Sequence, residues 1–276
     1  MKSLKTLEEK NKKIQKLKKI LKNYKSVLVA YSGGTDSSFL LKAAVDFLGQ
    51  DKVLAVTVKT EFLPENKFKE AKDIADTIGS VWKSIEIPIL KENKLKRNPT
   101  DRCYICKKTI LQNLKKTAKE EGLKEVIEGT NINDTEKYRP GHKAIKELGV
   151  KSPLVEANLT EEDIKKTSRK LNLPTWNKSS FTCLATRFPY GTKLTKSSLK
   201  KVELAEDFLT AKTFKNFRVR SHGNIARIEV PEKDFDRVLT NRKIIIEEFK
   251  EIGFEYITLD IEGYRSGSMD LGIKDG

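Results

Sequence analysis

Residues 26–42 read SVLVAYSGGTDSSFLLK, an aliphatic run that passes through two glycines into a helical stretch. Strand, glycine turn and helix in that order bring backbone amides to the end of a buried strand. Glycine tolerates positive φ and lets a ligand approach the main chain. The first amides of the helix that follows have no intrahelical partners and favour a phosphate. Ser32, Thr35, Ser37 and Ser38 add hydroxyl donors, and Asp36 beside a phosphate suits a Mg²⁺ ligand or a helix cap. A strand–turn–helix connection capped by Asp36 is the plainer alternative, and SGG alone does not decide between them.

Outward from this loop, KVLAVTVKT reads as a second strand, 65–78 as a helix, 81–88 as a strand, 103–121 as a helix and 125–130 (EVIEGT) as a strand. That alternation predicts an α/β fold with a mostly parallel, doubly wound sheet. Ligands of such sheets bind beyond the carboxyl ends of the strands. SGGTDS sits at one such end, and EGTNIND, which contains Gly129, sits at another. Leu4, Leu7, Ile14, Leu17, Leu21 and Tyr24 recur at helical spacing and predict an amphipathic helix over 1–25. After about residue 190 the pattern changes to a helix at 195–212, two short alternating strands (FRVRSHG and NIARIEV), a helix at 233–252 and the strand FEYITLDIE. The expected organisation is therefore an α/β domain over 1–190 and a smaller α+β domain over 191–276.

The 55 Lys and Arg against 39 Asp and Glu leave a formal net charge of +16. Such a surplus suits phosphorylated ligands and is compatible with nucleic acid. The lysines are spread along the chain, however, and the aromatics are not interleaved with them as a base-stacking surface requires. No apolar run approaches the roughly 20 residues that span a bilayer. The basic start of the chain lacks the apolar core of a secretory signal, so a cytoplasmic location is expected.

The three cysteines are Cys103 and Cys106, in DRCYICKKTI, and Cys183, in SSFTCLATRFPYG. An odd count is a poor disulfide framework. The start of a helix and the neighbours Arg102, Lys107 and Lys108 would favour thiolates. Three buried small hydrophobes, a redox dithiol, and zinc completed by His142 or His222 are alternatives. Three thiolates also suit a [4Fe–4S] cluster with one iron open to carry sulfur.

The longer pattern, strand-SGG-x-DS-helix, resembles the pyrophosphate-binding loop (PP-loop) of the ATP-pyrophosphatase superfamily, whose fold is of the adenine nucleotide α hydrolase type. A Walker loop would instead read GxxxxGK[ST]. Enzymes of that superfamily split ATP between its α and β phosphates and adenylate an oxygen of the substrate. Across nearly the whole chain after the N-terminal helix, the sequence resembles the LarE-type ATP-dependent sulfur transferases. These serve synthesis of the nickel-pincer nucleotide cofactor of lactate racemase. The resemblance rests on VAYSGGTDSSFLLK, EGTNINDTEKYRPG followed by HKA, PTWNKSS, RFPYGTKLT, FRVRSHGNIARIEVPE and GFEYITLDIEGYRSGSM.

The resemblance implies adenylation of a carboxylate of pyridinium-3,5-biscarboxylic acid mononucleotide, displacement of AMP by sulfur, and a thiocarboxylate product. It places Ser32, Gly33, Gly34, Thr35, Asp36, Ser37 and Gly129 around ATP and Mg²⁺. It places Arg187 and Glu206 on the catalytic face and Arg218 and Arg220 at the substrate phosphate. At i and i+2 these two arginines would project from one strand face as a clamp, with a solvated basic edge the alternative. One branch of the family sacrifices a single cysteine in the loop before RFPYG. Here Cys183 lies in that loop and CYIC is added, which looks like the branch whose three cysteines, Cys103, Cys106 and Cys183, hold a [4Fe–4S] cluster supplied by sulfide or a sulfur donor. Sacrifice of Cys183, a tRNA-thiolating enzyme of the same superfamily and a non-enzymatic zinc or nucleotide module are the competing readings. Self-association is expected from the family.

Overall fold

The structure is a computed structural model that describes residues 2–8, 11–136, 140–178 and 181–265. The chain divides into two compact units, one of residues 1–87 and 103–181 and the other of residues 88–102 and 182–276.

The first unit opens with a helical turn at Lys5–Glu8 and helix α1, Lys12–Tyr24. The single helix expected over 1–25 is thus divided. Asn11 stands in extended conformation and its side chain accepts from the amides of Lys13 and Ile14, starting a fresh helix there. The alternation that follows is β1 (Val27–Ala30), α2 (Thr35–Leu48), β2 (Val53–Lys59), α3 (Glu65–Ile78), β3 (Val81–Glu86), α4 (Arg102–Glu120) and β4 (Glu125–Ile127). Helices α5 (Gly141–Leu148) and α6 (Glu161–Lys170) follow.

All pairings in the four-stranded sheet are parallel, in the order β3-β2-β1-β4. Val27 and Val29 pack on one face with Phe39, Leu40, Ala71 and Ile164. Leu28, between them, packs on the other with Leu111, Leu114 and Val126. Both faces are covered, which is why β1 is apolar throughout rather than alternating. The chain proceeds outward from β1 to β3 and then returns to the far side of β1 for β4. The order therefore reverses between β1 and β4, and a doubly wound sheet opens its ligand crevice at that point. The strand expected over 125–130 ends at Ile127, where an isolated parallel bridge to Lys151, with the Glu128 amide donating to the Lys151 carbonyl at 3.0 Å, closes the outer edge of β4.

The second unit contains α7 (Lys196–Ala211), β5 (Arg218–His222), β6 (Ile225–Glu229), α8 (Phe235–Thr240), α9 (Arg242–Ile252) and β7 (Tyr256–Leu259). β5 and β6 form an antiparallel hairpin closed by Gly223 and Asn224, and β7 adds in parallel to β6. Gly223 has φ +65°, as a tight two-residue hairpin turn requires. The helix expected over 233–252 is interrupted at Asn241, whose φ of −91° and ψ of 9° leave the helical region. Asn98 ties the segment Pro88–Arg102 into this unit by donating to the carbonyls of Phe188 and Pro189 at 3.2 and 2.8 Å. No helix among the described residues is long and apolar enough to cross a membrane.

Candidate functional site

The SGGTDS loop occupies the reversal point of the sheet, after β1, with the EGT turn after β4 beside it. Gly33 has φ +70°, and a Cβ there would lie 2.8 Å from Ala71 Cβ. Helix α3 backs directly onto the loop, so a side chain at Gly33 has neither the conformation nor the space. Gly34 caps α2 in extended geometry, φ −80°. A Cβ on Gly129 would come within 3.0 Å of the Ser37 nitrogen, so the two strand-end turns are in close contact.

The hydroxyls expected to face a ligand divide. Ser32 is exposed, and its oxygen lies 3.0 Å from that of Ser37. Thr35 donates to the Thr175 carbonyl at 2.8 Å, and Ser38 is fully buried against the Tyr31 hydroxyl. Asp36 stands half-buried in the first turn of α2, where a carboxylate complements the helix dipole.

Three further residues shape this region. Lys178 donates to the Gly33 carbonyl at 2.9 Å and pairs with Glu70 on α3 at 3.0 Å. Burial holds the Lys178 amine below its ordinary value against the pull of Glu70. For Glu70, burial is outweighed by hydrogen bonds from Lys67 and Lys178, which keep its carboxyl below the usual range. Glu128, 4% exposed, accepts from the Thr130 amide (3.1 Å) and hydroxyl (2.7 Å) and the Ser152 hydroxyl (2.6 Å), and pairs with Lys107 at 3.3 Å. Burial alone would raise its carboxyl; Lys107 and these hydrogen bonds hold it below the usual range instead. Lys178 lies within PTWNKSS and Glu128 within EGTNIND, but nothing in periodicity distinguishes them from surface polar residues.

Cys103 and Cys106 lie one turn apart at the start of α4, Cys103 exposed and Cys106 half-buried. The neighbouring cations also hold other partners. Lys107 goes to Glu128, Lys108 to Tyr104 and Glu147, and Arg102 is buried against Asn98 and the Ala185 carbonyl.

In the second unit, Cys183 is half-buried at the entry to a 3₁₀ turn, Leu184–Arg187, and its carbonyl accepts from the Thr186 amide and hydroxyl. Three buried guanidinium groups hold this loop by its main-chain oxygens. Arg102 donates to Ala185 at 3.1 Å, Arg187 to Thr182 at 3.2 Å and Arg220 to Thr186 at 2.8 Å. Arg187 also engages both oxygens of Glu206. Arg220 pairs with the fully buried Glu229 at 2.8 Å. Arg218, two residues earlier, makes no ion pair among the described residues; it donates to the Phe217 carbonyl and lies 5.2 Å from the Tyr264 ring. Burial, and next the Arg187 charge, press its guanidinium below its ordinary value. The two arginines expected as a pair therefore differ: Arg220 pairs with Glu229 and donates to the Thr186 carbonyl, whereas Arg218 donates to its neighbouring carbonyl at Phe217.

Burial, then Arg227 and Arg220, hold the His222 imidazole below its usual value. No group of three or more His, Cys, Asp or Glu side chains placed to hold a metal ion occurs among the described residues.

Residues 9–121 match the family model described as NAD synthase. The chain is 37% identical over 250 residues to the pyridinium-3,5-bisthiocarboxylic acid mononucleotide synthase of Lactiplantibacillus plantarum, covering 91% of each chain. It is 36% identical to an uncharacterised protein of Synechocystis, covering 94% of this chain and 97% of that one. An NH₃-dependent NAD⁺ synthetase of Thermotoga neapolitana is 34% identical over 71 residues, 25% of this chain and 24% of that one.

Proposed function

Because the chain belongs to the LarE-type family of ATP-dependent sulfur transferases, we propose that it converts a carboxylate of pyridinium-3,5-biscarboxylic acid mononucleotide into a thiocarboxylate. The observation that carries this is the left-handed Gly33 at the reversal point of the sheet, backed by Ala71 and followed by the first turn of α2. A substrate carboxylate oxygen attacks the α phosphorus of ATP, the bond to the β-phosphate oxygen breaks, and pyrophosphate leaves. The loop amides and the positive end of α2 take up the charge on that leaving group. Asp36 is the residue that would hold Mg²⁺, which supplies further charge neutralisation when bound. Sulfur then adds to the acyl carbon, the bond to the adenylate oxygen breaks, and AMP departs. Arg218, half-buried and without an ion pair among the described residues, would receive an anionic group of the substrate.

The sulfur route is the finer part of the proposal. Cys103, Cys106 and Cys183 are the residues that would ligate a [4Fe–4S] cluster, which would supply a sulfur carrier. The firm hold of Arg102, Arg187 and Arg220 on the Cys183 loop also suits sacrifice of Cys183 sulfur. Lactate racemase maturation, a cytoplasmic location and self-association complete the proposal.

The test is anaerobic turnover with ATP, Mg²⁺, sulfide and the mononucleotide, reading pyrophosphate, AMP and product mass. Oxygen-for-sulfur exchange in the product is expected. Pyrophosphate release that depends on tRNA instead would sink the assignment. Iron and sulfide bound to the parent and lost in Cys103→Ala support the cluster, whereas protein that loses one sulfur on turnover supports sacrifice.

A further inference from the structure

We propose that Lys178 is the positioning residue that aims the glycine loop's amides, so that it governs affinity for the pyrophosphate end of ATP rather than for the nucleoside end. This deepens the ATP-binding reading of the loop and rests on it.

The Lys178 ammonium lies 2.9 Å from the Gly33 carbonyl oxygen. In a planar trans peptide the carbonyl of residue 33 and the N–H of residue 34 point in opposite directions. A cation that holds the carbonyl on one side therefore sets the Gly34 N–H on the other. Gly33 is the residue with the fewest conformational restraints of its own, since φ +70° is one of several regions open to glycine. Within the loop the Gly34 N–H makes only a long contact to Ser32 Oγ, at 3.4 Å, and the surroundings add to that selection.

The surroundings supply that selection from two directions. Helix α3 places Ala71 against Gly33 and Glu70 against Lys178 at 3.0 Å. Glu70 is itself bound by Lys67 at 3.0 Å, so the carboxylate that orients Lys178 is held at both oxygens. The turn that carries Lys178 makes a second tie to the loop, where the Thr175 carbonyl accepts the Thr35 hydroxyl at 2.8 Å. The Lys178 side chain is only 17% exposed, so its hydrogen bond to Gly33 competes little with water.

The variants Lys178→Met and Glu70→Gln, in the full chain, test this by calorimetric titration with ATP, magnesium pyrophosphate and AMP separately. Hydrogen exchange of the ligand-free protein over the peptide spanning 31–36 is the second readout. For Lys178→Met, ATP and pyrophosphate should each bind about tenfold more weakly or worse, with AMP within about twofold. The 31–36 amides should exchange faster than in the parent before any ligand is added. Glu70→Gln keeps the amine but loosens it; it should shift the same readouts in the same direction by less, and it carries the test if Lys178→Met fails to fold. Unchanged pyrophosphate affinity overturns the proposal, as does a parallel loss of AMP. Weaker pyrophosphate binding with unchanged exchange also overturns it, because Lys178 would then touch the phosphate directly. A parent that binds no ATP overturns instead the reading of the loop as an ATP site.

Discussion

Arg187 Nε and Nη2 reach the two carboxylate oxygens of Glu206 at 2.8 and 3.1 Å, and the oxygen that Nε reaches also accepts the Val219 amide at 3.0 Å. One carboxylate thereby joins α7, β5 and the turn after Cys183. Arg187 is 1% exposed, so Glu206→Ala would leave a buried guanidinium without its counter-charge. The Glu206 side chain is 15% exposed, which lets water relieve part of the loss. A destabilisation of about 3 kcal/mol is expected in urea unfolding, with Glu206→Gln costing less. Equal midpoints for parent and Glu206→Ala would show that the pair does not hold the loop.

The two loop glycines should respond differently. Gly33→Ala forces a Cβ to 2.8 Å from Ala71 Cβ at φ +70°, whereas a Cβ on Gly34 meets nothing closer than Ser32 Oγ at 3.4 Å. Gly33→Ala is expected to cost about 1–3 kcal/mol of stability and to weaken ATP binding severely. Gly34→Ala should retain both to a much greater degree. Comparable ATP affinity for the two variants would contradict this account of the loop.

Asp36 and the cysteines belong to different halves of the proposed reaction. Asp36→Ala should lower pyrophosphate release by a hundredfold or more, on the order of other losses of transition-state charge stabilisation. Any iron bound by the parent should remain in this variant, as measured by metal analysis. Loss of iron in Asp36→Ala would mean that the two functions share a residue.

Glu128 gives a pH prediction. Its carboxyl in the folded protein lies below the reference value of 4.5, held there by Lys107 and hydrogen bonds despite burial. A carboxyl depressed on folding contributes stability in full above its unfolded value. That contribution fades as pH falls below about 4.5 and through the folded value. Unfolding measured from neutral pH down to pH ~3 should therefore show a shallower acid loss for Glu128→Gln than for the parent. Identical acid limbs would remove Glu128 from the account.

Local sequence carried the parallel α/β unit well, because its strands are apolar without alternation and its helices repeat at their own period. SGGTDS was legible as a strand–turn–helix connection because its signal, glycine before a helix start, is contained in six residues. Asn11 and Asn241 were harder: one side-chain cap or one shifted ψ divides a helix while leaving its hydrophobic pattern intact. The pairing of Arg218 with Arg220 followed from strand alternation, yet Glu229 and the Thr186 carbonyl claim Arg220. Those partners lie 9 and 34 residues away in the chain, beyond the reach of any strand pattern.

The sequence by itself determined the layer architecture, the position of the glycine loop after β1, and the family, since periodicity and short motifs are local properties of the chain. Only the tertiary structure decided which polar groups complete the loop. Lys178 meets Gly33 across 145 residues, and Glu128 meets Lys107 across 21 and Ser152 across 24. The same applies to the partners of Arg102, Lys107 and Lys108, which are carboxylates, a carbonyl and side-chain oxygens supplied by the fold. The physical reason is that a buried charge settles on whichever partner best repays its desolvation, and that partner is chosen by three-dimensional proximity rather than by order along the chain.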